Sequence, residues 1–378
     1  MKPADRLRAF SQALQERSGL AFLPFSADLT YLTGLPRPFP NYGRLIHPGD
    51  WVEGLWILPG QEPLLILTRM TAEFGAVAAD NVRVVILDDQ QDPAALLRDL
   101  LGQARLQAGL DLAVSETTRA ETLVHLLGLL PGAKVSSATE LLRLLRRVKD
   151  ADEIAAMQEA GAICEAAFAD LLGQLKPGMS ELEVIGELDL RLRQHGAFGP
   201  SFSTALYCVG PGLELDFDEQ RTWPRRLEPP VSLLFDFGAI YRGYCYDYGR
   251  TVSFGEPDPA FVWTHALVMR AQQAGIRALA AGRTAAEVDA AARQVIAEAG
   301  FGAEFRHRLG HGIGLDVHEP PFLTSADRTV LEAGMLFTIE PSILFERRCS
   351  ARVEDVVQVG DGGGIPLTAG FQELVVID

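Results

Sequence analysis

Six residues recur in register 104 positions apart, and this repeat limits the fold more than any other feature. Leu175, Gly178, Ser180, Glu183, Val184 and Gly196 return as Leu279, Gly282, Thr284, Glu287, Val288 and Gly300. Ser180 to Glu183 and Thr284 to Glu287 both read as capping boxes, in which hydroxyl and carboxylate each satisfy an amide left without a partner at a helix start. Each box opens a helix that ends near a glycine, and strand-like segments follow each. Chance similarity between two amphipathic helices explains a few matches; six in register point to a duplicated α/β half. Duplication leaves a cleft between the halves, where a site can draw side chains from both.

The preceding part of the chain has no such repeat. It alternates helical and strand-like patterns, as α/β folds do: a helix over 4–18, strands at 21–24, 56–58, 64–67 and 82–87, and helices near 93–107 and 117–129. A basic, helical patch from Arg143 to Lys149 reads as the connection. The expected organisation is one α/β domain over 1–147 and a second over 148–378. At 378 residues the chain is long enough for two full cores.

Composition excludes several classes of function. A net charge of -16 leaves no basic stripe for a phosphate backbone, so no nucleic-acid partner is expected. No apolar run reaches the ~18 residues of a membrane span, and Met1-Lys2-Pro3-Ala4-Asp5-Arg6 lacks the apolar stretch of a signal peptide. The cysteines, Cys164, Cys208, Cys245 and Cys349, have no CxxC spacing, which fits reduced thiols in the cytoplasm.

The chemistry-bearing residues lie in the second part. Leu234 to Gly238 and Tyr244 to Tyr248 read as two strands around a type I turn at Ile240-Tyr241-Arg242-Gly243. Centring the hairpin there places Asp236 opposite Asp247. Like charges facing each other at ~5 Å are destabilising, so a cation between them is expected, and a metal is the natural candidate. Three of the seven histidines, His307, His311 and His318, fall within twelve residues. Glycines on both sides of His311 let its backbone approach closely.

Two glutamates follow. Glu340 shares a strand face with Leu336 and Thr338, and Glu354 shares one with Arg352 in the strand-like run 351–357. A buried glutamate costs free energy unless paired or metal-bound. The competing accounts are a Glu354 salt bridge to Arg352 and a Glu340 that reaches solvent ahead of Pro341. Taken together, four carboxylates and one imidazole suit two hard or borderline divalent ions, Mn²⁺, Co²⁺ or Zn²⁺. The lack of sulfur ligands argues against a structural zinc site.

These strings resemble a known family. Asp236-Phe237-Gly238, Gly243-Tyr244, Asp247, Arg250-Thr251, Gly310-His311-Gly312-Ile313-Gly314 through His318-Glu319, Thr338-Ile339-Glu340-Pro341 and Arg352-Val353-Glu354-Asp355 are similar to the M24 metallopeptidases of pita-bread fold. Tyr31-Leu32-Thr33-Gly34 is similar to the N-terminal domain of creatinase, prolidase and aminopeptidase P. The resemblance implies an α/β N-terminal domain and a C-terminal pita-bread domain with an internal pseudo-twofold repeat. It also implies a homodimer that hydrolyses Xaa-Pro bonds of small peptides with two divalent ions, Mn²⁺ first.

By the same resemblance Asp236 chelates one ion, Asp247 and Glu354 bridge both, and His311 and Glu340 complete the second. A water between the ions is the nucleophile, Glu340 shuttles its proton, His318 contacts the substrate carbonyl, and Arg352 steadies the bridging carboxylates or the substrate. The chain departs from the pattern at three places. The histidine expected ahead of the Asp236 strand falls near Glu219, in the acidic stretch Asp216-Phe217-Asp218-Glu219-Gln220. The glycine and tyrosine usual after Glu340-Pro341 are Ser342 and Leu344.

Two other readings stand beside the peptidase: a metal-dependent hydrolase or lyase of a small non-peptide metabolite, and a binding module without catalysis. Arg37 and Arg44 are candidate cations for a dipeptide's free carboxylate.

Overall fold

The computed structural model describes residues 1–15, 20–37, 48–74, 81–104, 110–209, 225–344 and 350–377. The chain separates into two compact units, Met1–Arg146 and Arg147–Asp378. Among the described residues no helix is long and apolar enough to cross a membrane.

The first unit runs α1 (Pro3–Gln15), β1 (Leu20–Leu23), α2 (Ala27–Thr33), β2 (Gly54–Ile57), β3 (Leu64–Thr68), α3 (Arg69–Phe74), β4 (Arg83–Leu87), α4 (Pro93–Gln103), β5 (Asp111–Val114), α5 (Ala120–Leu129), β6 (Lys134–Ser137) and α6 (Thr139–Arg146). Its six strands form one mixed sheet in the order β4-β3-β2-β1-β5-β6. The strands β1, β2 and β3 are buried along their whole length, and β1 and β3 read as unbroken apolar runs for that reason. The polar edge strand β6 and the seven-residue α2 give weak sequence signals. Capping defines α2: the Ser26 hydroxyl accepts from the Leu29 amide, and Gly34 ends the helix with φ +78.

The basic helical patch stops earlier than the sequence indicates. Helix α6 ends at Arg146 because the next backbone groups are committed elsewhere. Val148 bridges Met335, and the Lys149 amide donates to the Gly334 carbonyl at 3.0 Å. The Lys149 ammonium is buried against Glu319 at 3.0 Å.

The second unit repeats one plan. Helices α7 (Ala151–Leu172) and α8 (Glu181–Gln194) precede β7 (Gly199–Pro200), β8 (Ala205–Val209), β9 (Val231–Phe237), β10 (Ala239–Tyr241), β11 (Tyr244–Cys245) and β12 (Tyr248–Phe254). Helices α9 (Pro259–Ala278) and α10 (Ala285–Glu298) precede β13 (Gly310–Gly312), β14 (Glu319–Leu323), β15 (Leu336–Ile339), β16 (Ser342–Leu344), β17 (Ser350–Arg352), β18 (Asp355–Gln358), β19 (Ile365–Pro366) and β20 (Val376–Ile377). Both capping boxes form: Glu183 accepts from the Ser180 amide and Glu287 from the Thr284 amide, each at 2.7 Å.

Each half has its own core. One packs α7 and α8 on the sheet β20-β12-β9-β8, through Phe168, Phe235 and Tyr248; the other packs α9 and α10 on the sheet β14-β13-β15-β18-β19, through Leu267, Ile296 and Phe337.

The two sheets meet at Gly249 and Glu354. The Glu354 amide donates to the Gly249 carbonyl at 2.9 Å, and the Thr251 hydroxyl joins the Arg352 backbone at 3.0 Å. Beneath this seam Arg250 and Asp355 form a buried ion pair at 2.7 Å. Gln272 donates to the second Asp355 oxygen at 2.8 Å, and Arg250 also donates to the Glu354 carbonyl at 2.6 Å.

The hairpin register differs from the sequence expectation. Tyr241 pairs with Tyr244, and Asp236 faces Gly249 rather than Asp247. The turn has two central residues, Arg242 (φ +49) and Gly243 (φ +84), both left-handed. This is the type I′ geometry, whose twist matches that of the flanking strands, whereas a type I turn splays them. The shift is two residues, so Asp236 and Asp247 keep the same face and become diagonal neighbours.

Removing one partner of a buried pair leaves an uncompensated charge. Lys149→Met is expected to lower stability by about 3–5 kcal/mol, and the double variant Lys149→Met/Glu319→Gln to recover much of it; urea unfolding of the three proteins checks both.

Candidate metal centre and its cleft

A cleft of about 620 Å³ opens within the second unit. Asp236, Asp247, His311, His318, Glu340, Arg352 and Glu354, the seven site residues expected from sequence, all line it. A groove of about 800 Å³ along α9 and α10 lies apart from them and is lined by Arg270, Gln273 and Arg277. The larger volume does not mark the chemistry, because its lining has no clustered buried ionisable groups.

Five side chains are brought in by different elements. Asp236 is on β9, Asp247 follows β11, His311 is on β13, Glu340 follows β15, and Glu354 lies between β17 and β18. The run 351–357 is therefore two strands broken at the glutamate, not one. Glycine is required where these strands approach: a Cβ at Gly249 would sit 2.9 Å from the Glu354 side chain, and one at Gly310 would sit 1.9 Å from the Thr338 carbonyl oxygen. The Thr338 hydroxyl accepts from the His311 amide at 3.0 Å and donates to Glu340 at 3.2 Å, fixing two site residues through one side chain.

Ligand atoms of Asp247, His311 and Glu354 lie within 4.8 Å of one another. His311 Nδ1 lies 3.0 Å from the Gly312 carbonyl oxygen, and this contact assigns the proton to Nδ1. Nε2 then carries a lone pair, yet it faces Asp247 Oδ2 at 3.6 Å and Glu340 Oε1 at 3.5 Å. Burial, with His318 close by, pushes the imidazole pKa down to about 3, so no proton relieves the contact at neutral pH. Among the described residues Asp247 Oδ1 and Glu354 Oε1 are buried without a donor. Acceptors facing acceptors in a dry site are unfavourable without a cation. The nitrogen and oxygen donors fit a divalent ion of hard or borderline character.

The carboxyl groups respond to the same field. Burial, followed by the charges of Asp236 and Glu340, raises the Asp247 pKa well above its ordinary value. Burial and the neighbouring carboxylates do the same to Glu354. Glu340 is pushed up to about 7 by burial, with Arg352 opposing the shift. Arg352 donates to Asp236 at 2.7 Å, so the expected alternative of a Glu354–Arg352 bridge gives way to an Asp236–Arg352 bridge. Glu340 is only 8% exposed and does not reach solvent.

His307 and Ser342 were not assigned roles from sequence. His307 Nδ1 lies 2.7 Å from the Arg308 carbonyl oxygen, so Nε2 accepts from the Ser342 hydroxyl at 2.5 Å. The serine that replaces the family's usual glycine thus fixes a cleft histidine, and the substitution itself was the available signal. Leu344, where the family's usual tyrosine stands, also lines the cleft, as do Arg308, Phe202 and Leu234, which had no assigned role from sequence. The stretch Asp216 to Gln220, with Glu219, lies outside the described residues, as do Arg44 and Cys349. Arg37 belongs to the first unit. Cys164, Cys208 and Cys245 are buried thiols outside any disulfide.

The family model "Metallopeptidase family M24" matches residues 155–361. A probable dipeptidase PepE of Mycobacterium bovis is 35% identical, over 98% of this chain and 96% of that protein. An Xaa-Pro dipeptidase of Lactobacillus delbrueckii subsp. lactis is 30% identical, over 96% of both. The crystal structure of a recombinant prolidase from Thermococcus sibiricus superposes with a TM-score of 0.88 at 28% identity, covering 100% of this chain and 99% of that one. The fold is the pita-bread fold of these proteins, preceded by the mixed α/β domain.

A carboxyl pKa higher in the folded than in the unfolded chain makes stability fall as pH rises through the interval between them. For Glu340 that interval runs from about 4.5 to about 7. In metal-free protein, Glu340→Gln is expected to exceed the wild type by about 3 kcal/mol at pH 8 and to match it at pH 4. Denaturant unfolding in the presence of a chelator measures the difference.

Proposed function

We propose that this chain, which belongs to metallopeptidase family M24, hydrolyses Xaa-Pro bonds in dipeptides or short peptides with two divalent metal ions, Mn²⁺ foremost. It is a peptidase of the prolidase and aminopeptidase P branch. The observation that carries the metal centre is the neutral His311 Nε2 aimed at two carboxylates, beside the donorless oxygens of Asp247 and Glu354. The Xaa-Pro specificity is supported by the relative named for it. Residues 148–378 are proposed as the catalytic domain and 1–147 as the N-terminal one.

Asp236, Asp247, His311, Glu340 and Glu354 would hold the ions. Bound there, the metals supply Lewis acidity, polarising the scissile carbonyl and making water acidic enough to attack at neutral pH. Glu340 takes the proton of the attacking water on a carboxylate oxygen and delivers it to the leaving nitrogen as the C–N bond breaks. His318, whose ring centroid lies 4.2 Å from that of His311, donates an N–H to the carbonyl oxygen as negative charge develops there. Arg352 holds Asp236 in place and offsets the negative charge of the cluster. The apolar wall of Phe202, Leu234 and Leu344 excludes water around the pyrrolidine ring.

Reconstituted protein is expected to carry about two divalent ions per chain by elemental analysis, and to cleave Ala-Pro or Ala-Pro-Pro with Mn²⁺. Glu340→Gln should lower kcat by several orders of magnitude, and His318→Ala by roughly 10²–10³. Equal, small losses in both would move the chemistry elsewhere in the cleft. Absence of metal would end the proposal.

A further inference from the structure

Residues 313–318, between β13 and β14, are neither helix nor strand, yet they carry His318. The first half of this turn is tied down by backbone bonds. The Ile313 amide donates to the Leu336 carbonyl at 3.3 Å, and the Cys245 amide donates to the Gly314 carbonyl at 2.7 Å. The second half presents Val317 and His318 to the cleft, and a side chain secures it. The Glu319 carboxylate folds back over the turn: Oε1 accepts from the Asp316 amide at 3.1 Å, and Oε2 accepts from the Lys149 ammonium at 3.0 Å. A Cβ at Gly314 would sit 2.9 Å from Glu319 Oε1 and 3.0 Å from Lys149 Cε, so the turn wraps directly onto the pair. Lys149 is itself fixed, its amide bonded to Gly334 and its neighbour Val148 bridged to Met335. Met335 precedes β15, the strand that leads to Glu340.

We propose that the buried Lys149–Glu319 pair is a positioning device, which holds the turn so that the His318 ring stands beside His311 in the cleft. This rests on the peptidase reading above for what His318 does there, and deepens it by naming what sets the ring's place. Stability alone is a poor reason for such a pair. Its side chains are only 3% and 7% exposed, and well-packed apolar residues of similar volume often serve stability as well as a buried ion pair or better. Placement is different, because a displacement of about 1 Å at a reacting group costs on the order of 10²-fold in rate. The pair is suited to that task, since it links the turn to the segment entering β15 and so sets His318 in register with Glu340.

The test uses the double variant Lys149→Met/Glu319→Gln, whose recovered stability separates folding from placement. Its kcat and KM on Ala-Pro with Mn²⁺ are measured in the wild-type and His318→Ala backgrounds. Removing the pair is expected to lower kcat by about 10- to 100-fold in the wild-type background, with KM moving less than about threefold. In the His318→Ala background the same change should alter kcat by less than about twofold, because a residue acting through His318 has nothing left to act on. A purely structural pair would give the same factor in both backgrounds. The second readout needs no turnover. In protein with labelled histidine, loaded with diamagnetic Zn²⁺, the ring centroids of His311 and His318, 4.2 Å apart, should give an inter-ring nuclear Overhauser effect that the double variant loses. An Overhauser effect that persists in the double variant or is missing from the wild type, a wild-type kcat in the double variant, or equal losses in the two backgrounds overturns the proposal. Failure of the peptidase reading shows separately, as wild-type protein that leaves Ala-Pro intact; the Overhauser effect alone then decides whether the pair places the ring.

Discussion

Repulsion among four neighbouring carboxylates, Asp236, Asp247, Glu340 and Glu354, is the constraint to which the surrounding structure answers. Three of the four are buried, and burial raises the cost of each charge while weakening solvent screening. The guanidinium of Arg352 is committed to Asp236. What it leaves uncompensated is the face where Asp247, Glu354, Glu340 and the neutral imidazole of His311 converge. That deficit is the physical basis of metal affinity: folding energy holds the ligands together, and a cation recovers the electrostatic cost.

Holding like charges together requires rigid strands, and the rigidity comes from beneath the site. Asp355, adjacent to Glu354, is fully buried and bonded to Arg250, Gln272 and Thr368. Arg250 in turn caps the carbonyls of Gly249, Glu354 and Gly370. One buried polar network therefore joins the sheets of the two halves and fixes the backbone that carries a site glutamate. The missing Cβ at Gly249 lets that glutamate approach the facing strand. Thr338 does similar work on the other side, bonding both the His311 amide and the Glu340 carboxylate.

The sequence by itself determined the ingredients: a repeated helix-start signal, five oxygen and nitrogen ligand types on strand-like segments, and glycines flanking His311. Local chemistry is enough for these, since a capping box or an alternating strand face is specified within a few residues. It also placed Asp236 and Asp247 on one face, because face follows from the two-residue period of a strand. Their register was not legible: a type I turn centred on Tyr241-Arg242 and a type I′ turn centred on Arg242-Gly243 read alike, and the twist of the long paired strands β9 and β12 favours the second. Tertiary structure alone decided that Arg352 pairs with Asp236 and that Ser342 orients His307. Those are contacts between residues far apart in the chain, set by how two sheets and their helices pack, and no local pattern encodes which donor will meet which acceptor.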